Sequence, residues 1–254
     1  MGSKRILITN DDGIRAPGLR ALEDALAAVG EVTVVAPDRE MSASSQSLSL
    51  HTPLRIHPLD DRHYAVAGTP ADTVILALYH VLHEKPDLVV SGINPGGNLG
   101  ENVIYSGTVA AAMEATLHSV PAFAISLATR KHLDFSKAAA FAADLARKIL
   151  EEGLPGGVML NVNVPRGEVR GARLTRQSQK VSQNKVVEAQ DPRGRSYFWL
   201  DETVQLGEVE PDSDYAAILD HEISITPLEV DRTHDPSLNH LSKWLPGLNS
   251  RFPK

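Results

Sequence analysis

The chain has 254 residues, of which 42% are hydrophobic and 22% are charged, and its formal net charge is −7. This composition is typical of a globular protein, and the negative charge offers no overall basic field to polymeric nucleic acid. The absence of cysteine excludes disulfides, thiolate metal sites and a cysteine nucleophile. No apolar run approaches the roughly 18 residues of a membrane span, and residues 1–4 leave no room for a signal peptide before the first predicted strand. We therefore expect a cytoplasmic protein with no membrane partner.

Strands and helices alternate through the first 165 residues. Short apolar runs predict buried strands, and apolar positions three or four residues apart predict helices. The predicted strands are 6–8, 31–37, 87–91, 122–127 and 158–164, and the predicted helices begin at 17, at 70, after 106–108 and at 136. Two further short strands are predicted at 48–56 and 63–67 and could form a hairpin. A β-α-β order of this kind predicts parallel strands joined by right-handed crossovers.

After Pro165 the alternation weakens. The pattern predicts a strand at 173–177, a hairpin within 186–200 around a turn at 191–194, a helix at 214–219, a strand at 222–230 and a terminal helix at 237–245. We therefore divide the chain into a core, residues 1–165, and a smaller β-rich C-terminal extension, residues 166–254. We expect the extension to join the same sheet and not to form a detached domain.

Polar side chains follow three of the predicted strands. Asp11 and Asp12 follow the first strand, the serine loop (residues 38–47, with Ser42) follows the second, and Asn94 and Asn98 follow the strand at 87–91. Because the carboxyl ends of parallel strands meet at one edge of a sheet, these groups could converge there. Carboxylate, hydroxyl and amide oxygens suit magnesium, manganese or calcium better than zinc. The acidic pair is also ordinary turn chemistry, so the turn stays open as an alternative.

The glycine loop (residues 92–100) leads within a few residues to Ser106-Gly107-Thr108 at a helix start. The loop is either a flexible connection or a backbone that passes close to a ligand. The helix start is either capped by Ser106 or Thr108, or is an anion site formed by free backbone amides. A metal site and an anion site on one edge are what phosphoryl transfer needs.

Several other site types are disfavoured. The chain has no Walker loop, no G-x-G-x-x-G after the first strand and no G-x-S-x-G elbow. The predicted helix end that carries His80 and His83 is interpreted as surface or packing. The first strand loosely resembles that of aspartate-nucleophile phosphatases, but those enzymes separate their two aspartates by one residue, whereas Asp11 and Asp12 are adjacent.

Taken together, the motifs resemble the SurE survival protein family of metal-dependent nucleotidases. The stretches that carry the resemblance lie in the same order through about residue 230, and they are 8–13, 36–42, 68–72, 91–98, 106–109, 161–165, 175–176, 191–194 and 224–228. The chain departs from the family at His221 and Glu222, where a glycine and an aromatic residue are expected. This departure concerns local packing or the substrate rim and not the metal site.

The resemblance implies a three-layer α/β/α Rossmann-like core with a mainly parallel sheet, and one divalent metal, Mg²⁺ or Mn²⁺, per subunit. The metal ligands it implies are Asp11, Asp12, Ser42 and Asn94. The phosphate-side residues it implies are Asn98, Ser106, Gly107 and Thr108. The family acts on nucleoside 5′- or 3′-monophosphates, and some members trim short polyphosphate. Its members are dimers or tetramers with a projecting hairpin and exchanged C-terminal elements, which residues 184–200 and the tail after 230 fit.

Our hypothesis is direct hydrolysis by metal-activated water, with Asp11, Asp12 and Asn98 as catalytic residues. The aspartate-nucleophile phosphatase is the alternative enzyme. A nucleotide-binding or sensing module without catalysis is the alternative of a different class, since it shares the glycine loop and helix start but has less need for both aspartates.

Overall fold

The structure is a computed structural model that describes residues 3–179, 182–204 and 209–249. The strands are β1 Arg5–Thr9, β2 Glu31–Pro37, β3 Ile56–Pro58, β4 His63–Val66, β5 Leu88–Pro95, β6 Ala122–Leu127, β7 Val158–Val164, β8 Gly171–Leu174, β9 Ser182–Gln190, β10 Ser196–Val204 and β11 Glu222–Glu229. The helices are α1 Pro17–Leu26, α2 Pro70–Leu76, α3 Asn102–Tyr105, α4 Gly107–Leu117, α5 Ser136–Glu152, α6 Asp214–Leu219, α7 Asp235–Leu241 and α8 Leu245–Asn249. A π-helical turn, Ala77–Val81, continues α2, and a 3₁₀ turn, Ser242–Trp244, joins α7 to α8.

One sheet organises the described residues, with strand order β3-β4-β2-β1-β5-β6-β7-β11-β8. The central strands from β4 to β7 in this order are parallel, and the antiparallel pairs are β3 with β4 and β7 with β11. The chain passes from β1 to β2 on one side and later returns to β5 on the other side of β1. The sheet therefore has a topological switch point between β1 and β5, and crevices at such points bind ligands in open α/β folds.

Helices cover both faces of the sheet. α1 and α5 pack with an apolar cluster on one face, and α2 and α4 pack with a second cluster on the other. In α1, Leu19, Leu22 and Leu26 are buried at helical spacing, as the sequence predicts. Gly18 allows α1 to approach β5 closely, since a Cβ built there would lie 2.0 Å from the carbonyl oxygen of Ile93. The predicted three-layer α/β/α architecture is confirmed.

The predicted strand at 48–56 is wrong, because only Ile56–Pro58 is extended as β3. Backbone groups of the segment before β3 form hydrogen bonds with side chains at the start of α2. The Ser49 amide donates to Asp72 Oδ1 at 2.9 Å, and the Ser47 carbonyl accepts from Thr69 Oγ1 at 2.7 Å. These tertiary hydrogen bonds replace the ladder that the apolar pattern suggested.

The loop predicted from residue 92 is also partly wrong. β5 continues through Pro95, and Asn102–Tyr105 forms a short helix. The strand predicted at 173–177 lies instead at Gly171–Leu174. The terminal helix predicted at 237–245 is divided into α7, a 3₁₀ turn and α8.

The C-terminal extension contributes β8 and β11 to the main sheet and a separate hairpin. In that hairpin β9 and β10 pair antiparallel around a turn at 191–195, so the predicted hairpin is confirmed. The division of the chain at Pro165 stays a prediction. No helix in the three described ranges is both long enough and apolar enough to cross a membrane.

Candidate functional site

A tight turn after β1 carries both aspartates. The Asn10 side chain closes this turn, with Nδ2 donating to the Gly13 carbonyl at 3.0 Å and Oδ1 accepting from the Gly13 amide at 3.2 Å. Gly13 has a φ of +97°, which favours glycine. The turn interpretation is thus correct for Asn10, and the same turn sets Asp11 and Asp12 at the switch point. The turn and the candidate site therefore occupy the same segment.

Asp11 lies against the start of α4. Thr108 Oγ1 donates to Asp11 Oδ1 at 2.5 Å. A Cβ built on Gly107 would lie 2.7 Å from the Asp11 Cβ, so only glycine leaves room for this carboxylate. Burial raises the pKa of Asp11, against the lowering effect of the Thr108 hydrogen bonds. The contact unites two predicted site segments that are 97 residues apart.

Asp12 is half-buried, and its electrostatic surroundings are unfavourable to a second negative charge. Burial, the charge of Asp11 and the charge of Glu40 raise the pKa of Asp12 to about 7, and the charge of Arg130 partly opposes them. Asp12 Oδ2 is buried and has no hydrogen-bond partner among the described residues. A buried polar atom without a partner is costly, and a bound cation would satisfy it.

The serine loop approaches the aspartates from β2. The Met41 amide donates to the Asp11 carbonyl at 2.7 Å, which anchors the loop beside the acidic turn. Ser42 is exposed, and its hydroxyl donates to Glu40 Oε1 at 2.7 Å. Ser44 Oγ is buried without a partner in the described part of the chain, and it would lie 2.8 Å from a Cβ on Gly107. Sequence reasoning did not single out Glu40 or Ser44, since neither stands out within a polar loop.

The two asparagines of the glycine loop are differently held. Asn94 Nδ2 donates to the Gly96 carbonyl at 2.6 Å, which leaves Oδ1 available as an oxygen ligand. Asn98 is buried, and its Nδ2 donates to Ser126 Oγ at 2.9 Å. Its backbone is gripped by β7, because Asn163 Oδ1 accepts from the Asn98 amide at 2.8 Å and Asn161 Nδ2 donates to the Asn98 carbonyl at 2.8 Å. These bonds fix the position of Asn98 relative to the sheet.

A buried carboxylate from the C-terminal extension fixes the other end of this loop. Asp214 is fully buried at the start of α6, and its Oδ2 accepts from the Gly100 amide at 2.9 Å. Its Oδ1 accepts from the Ser178 hydroxyl at 2.5 Å. Asp214 could not be predicted as a site residue, because its local sequence pattern indicates only a short helix. The extension therefore helps to shape the glycine loop.

The start of α4 combines capping with free donors. Ser106 is the N-cap, and its Oγ accepts from the Val109 amide at 3.1 Å, so the capping interpretation of Ser106 is correct. Thr108 uses its hydroxyl on Asp11. The Gly107 amide has no acceptor among the described residues, and the first amides of a helix attract anions. An anion at this position would lie next to the aspartates.

The arrangement suits a hard cation. In the described ranges no three His, Cys, Asp or Glu side chains cluster in a way that could hold a metal. Two carboxylates beside the hydroxyls of the serine loop form an oxygen ligand set of the kind that Mg²⁺ and Mn²⁺ accept. The orphaned Asp12 Oδ2 and Ser44 Oγ supply buried oxygens that a cation would satisfy. The residues present therefore fit a divalent metal.

The chain is similar to one protein family and to several named proteins. The family described as survival protein SurE matches residues 6–184. A 5′-nucleotidase SurE from Anaeromyxobacter sp. (strain Fw109-5) is 51% identical over 247 residues, which cover 96% of this chain and 97% of the relative. A 5′-nucleotidase SurE from Geotalea uraniireducens (strain Rf4) is 50% identical over 246 residues, with 94% and 98% covered.

A solved structure has the same architecture. The crystal structure of the SurE protein from Aquifex aeolicus superposes with a TM-score of 0.85 at 39% sequence identity, and the match covers 94% of this chain and 98% of that one. Sequence identity of about one half over nearly the full length, the family match and the shared fold agree with each other. The chain belongs to the SurE family.

Proposed function

We propose that this protein is a metal-dependent phosphomonoesterase that releases phosphate from nucleoside 5′-monophosphates, and also from 3′-monophosphates. The observation that carries the proposal is the contact between the acidic turn and the start of α4, where Thr108 Oγ1 lies 2.5 Å from Asp11 Oδ1. From this contact we infer a cation site beside an anion site at the switch point of the sheet. The relatives at about 50% identity are named 5′-nucleotidases, which hydrolyse phosphoric monoesters.

One divalent metal, Mg²⁺ or Mn²⁺, is proposed per subunit. The proposed ligands, directly or through water, are Asp11, Asp12, Ser42 and Asn94. When bound, such a metal neutralises phosphate charge and lowers the pKa of water for attack on phosphorus. The raised pKa of Asp12 and its unpartnered Oδ2 support a cation at this position.

Side chains and backbone amides of the protein would accept the proton and bind the phosphate. Asp11 is held by Thr108, and we assign this carboxylate the role of proton acceptor for the attacking water. Asn98 and the backbone amide of Gly107 would donate to the phosphate oxygens. Because Asn161 and Asn163 already hold the Asn98 backbone, little reorganisation is needed when the phosphate binds.

The direct test is phosphate release from a panel of 5′- and 3′-nucleoside monophosphates and short polyphosphate, with metal-stripped, Mg²⁺-loaded and Mn²⁺-loaded protein. We expect release only with metal. We expect Asp11→Asn to lower turnover by at least about 100-fold, as loss of a principal catalytic group can. The matched control is Asp24→Asn, which changes an exposed carboxylate on α1 and should retain wild-type turnover. Metal-independent release, or near-normal turnover by folded Asp11→Asn protein, would contradict the proposal.

Two alternatives make different predictions. A nucleophilic aspartate would transfer the phosphoryl group twice, so a chiral phosphate ester would react with net retention at phosphorus, whereas direct attack by water gives net inversion. A binding or sensing module would bind nucleotide tightly without turnover, and the names of the relatives do not favour it. We expect inversion.

We also propose a homodimer or homotetramer. The hairpin and tail expose large apolar side chains, among them Phe198, Trp199, Leu200, Leu241 and Trp244. Exposed apolar patches of this kind mark association sites in soluble proteins. The molecular mass in solution decides between the two states. A cytoplasmic location stays a prediction.

A further inference from the structure

Arg130 stands at the rim of the proposed site. It follows β6, which pairs with β5, at the carboxyl end of the sheet. Its guanidinium lies over Gly96 in the glycine loop. A Cβ built on Gly96 would lie 2.9 Å from Arg130 Nε and 3.7 Å from Nη2. Gly96 has a φ of +123°, so this position favours glycine for backbone reasons as well.

This placement brings the guanidinium close to both halves of the site. Gly96 lies between Asn94 and Asn98 in the chain, and its carbonyl accepts from Asn94 Nδ2 at 2.6 Å. The charge of Arg130 also acts on Asp12, where it opposes the effects of burial and of the neighbouring acids. The side chain thus lies against the segment that joins Asn94 to Asn98, and its charge reaches Asp12.

The guanidinium is not used elsewhere in the described part of the chain. Arg130 is exposed and makes no hydrogen bond or ion pair there. Other arginines in the structure behave differently: Arg62 pairs with Glu31 at 2.8 Å, and Arg147 pairs with Asp144 at 2.7 Å. A charged fork of N–H donors without a protein partner, beside a proposed metal site, fits an incoming anion.

We propose that Arg130 is a substrate-binding residue whose guanidinium donates to the phosphate oxygens of the nucleotide and selects for the charged phosphate monoester. This inference rests on the proposed function. Its physical basis is that a planar guanidinium can make two parallel hydrogen bonds to phosphate, whereas a lysine ammonium acts as a single point charge. Because the contact is present before and during the reaction, it strengthens substrate binding and leaves turnover largely unchanged.

The test compares Arg130→Gln and Arg130→Lys with a matched control, Lys131→Gln, which removes a positive charge from the next residue, also exposed. With saturating Mg²⁺ or Mn²⁺, we expect Arg130→Gln to raise the KM for a nucleoside monophosphate about tenfold, the scale of one charged hydrogen bond at an accessible site. The kcat should stay within about twofold, Arg130→Lys should lie between, and Lys131→Gln should match the wild type.

Two inhibitors identify the recognised group. The Ki of inorganic phosphate should rise about tenfold in Arg130→Gln, whereas the Ki of the corresponding nucleoside, which has no phosphate, should not change. An unchanged KM and phosphate Ki would overturn the inference. An equal rise of KM and phosphate Ki in Lys131→Gln would also overturn it, because the rise would then reflect the loss of any positive surface charge. An equal loss of nucleoside affinity would assign Arg130 to the base or sugar and not to phosphate.

Failure of this inference is distinguishable from failure of the proposed function. Wild-type protein that releases no phosphate with any metal refutes the hydrolase. Calorimetric binding of inorganic phosphate to the metal-loaded protein needs no turnover, and it still decides the role of Arg130. A tenfold weaker phosphate Kd in Arg130→Gln supports the role, and an equal Kd overturns it.

Discussion

Without metal, Asp12→Asn should be more stable than the wild type. With metal bound, it should be less stable than the wild type. In the folded chain, burial and the charges of Asp11 and Glu40 raise the pKa of Asp12 to about 7. In the unfolded chain an aspartate loses its proton near pH 3.9. Between these values the folded state binds more protons than the unfolded state, so the free energy of unfolding falls as the pH rises. An asparagine cannot ionise and avoids this loss.

The size of the effect follows from the shift. A rise from 3.8 to about 7 is about three units, and at about 1.4 kcal/mol per unit the full cost of ionising Asp12 would be about 4 kcal/mol. Asp12 is only half-buried, and solvent screening reduces the cost to about 2 kcal/mol. The advantage of Asp12→Asn should therefore be small at pH 4, grow up to pH 7 and remain near 2 kcal/mol above it.

The assay is urea unfolding of both proteins in chelator at pH 4, 6 and 8, followed by the same series in Mg²⁺ or Mn²⁺. Metal at about 100 times its Kd should stabilise the wild type by about 2.7 kcal/mol and should stabilise Asp12→Asn much less, because the variant lacks one charged ligand. The order of stability should then reverse between the two conditions. Asp24→Asn, on the exposed side of α1, is the control and should show neither effect.

A single result would refute this reasoning about the acidic pair. If Asp12→Asn is equally or less stable than the wild type in chelator at pH 8, the folded protein does not carry an unfavourable charge at Asp12. Equal stabilisation of both proteins by metal would instead remove Asp12 from the ligand set and leave the electrostatic argument in place.

Two further predictions concern residues that hold the site and the fold. Asn163→Ala should lower the free energy of unfolding by about 3 kcal/mol and reduce kcat, because it leaves the buried amide of Asn98 without its acceptor at 2.8 Å. An unchanged urea unfolding curve would show that this hydrogen bond does not stabilise the fold. His221→Gly should raise the free energy of unfolding by about 0.5–1 kcal/mol with unchanged kcat. His221 has a φ of +61°, a conformation that costs a residue with a side chain about 1–2 kcal/mol. The greater flexibility of glycine in the unfolded chain cancels part of this gain. Thermal denaturation measures the second effect, and a lower Tm would refute it.

The local pattern of the chain predicted most of the sheet. The apolar runs at 31–37, 122–127 and 158–164 became β2, β6 and β7 with these bounds, because strands buried on both faces are nearly continuous apolar segments. The pattern failed at 48–55, where Asp72 and Thr69 take up the polar groups of the segment. These partners are about twenty residues away, and hydrophobic periodicity contains no information about them.

The departure from the family at His221 concerns the conformation of the backbone. The family leads one to expect glycine at this position, and His221 has a φ of +61°, a conformation that glycine adopts without strain. The next residue, Glu222, forms an ion pair with Arg173 in the extension. The departure therefore lies at the start of β11, and it leaves the acidic turn and the glycine loop unchanged.

The convergence of the candidate residues was predictable to the extent that it depends on where strands end. Asp11, Asp12, Asn94 and Asn98 follow β1 or lie at and just beyond the end of β5, and parallel pairing alone brings these segments to one edge. The partners that orient them depend on the tertiary fold. Thr108 meets Asp11 across 97 residues, Asn163 meets Asn98 across 65, and Asp214 meets Gly100 across 114.

Those distant partners explain why the glycine loop can be rich in glycine and still be ordered. Glycine lowers the cost of close approach but increases the conformational entropy lost on folding. Here buried side chains from β7 and α6 supply hydrogen bonds to the backbone at Asn98 and Gly100, at the C-terminal end of the loop. In the middle of the loop, the Gly96 amide donates to the Leu127 carbonyl at 2.9 Å, and Arg130 lies over this glycine. A loop whose backbone is hydrogen-bonded at Gly96, Asn98 and Gly100 is suited to hold Asn98 in position at the proposed phosphate site.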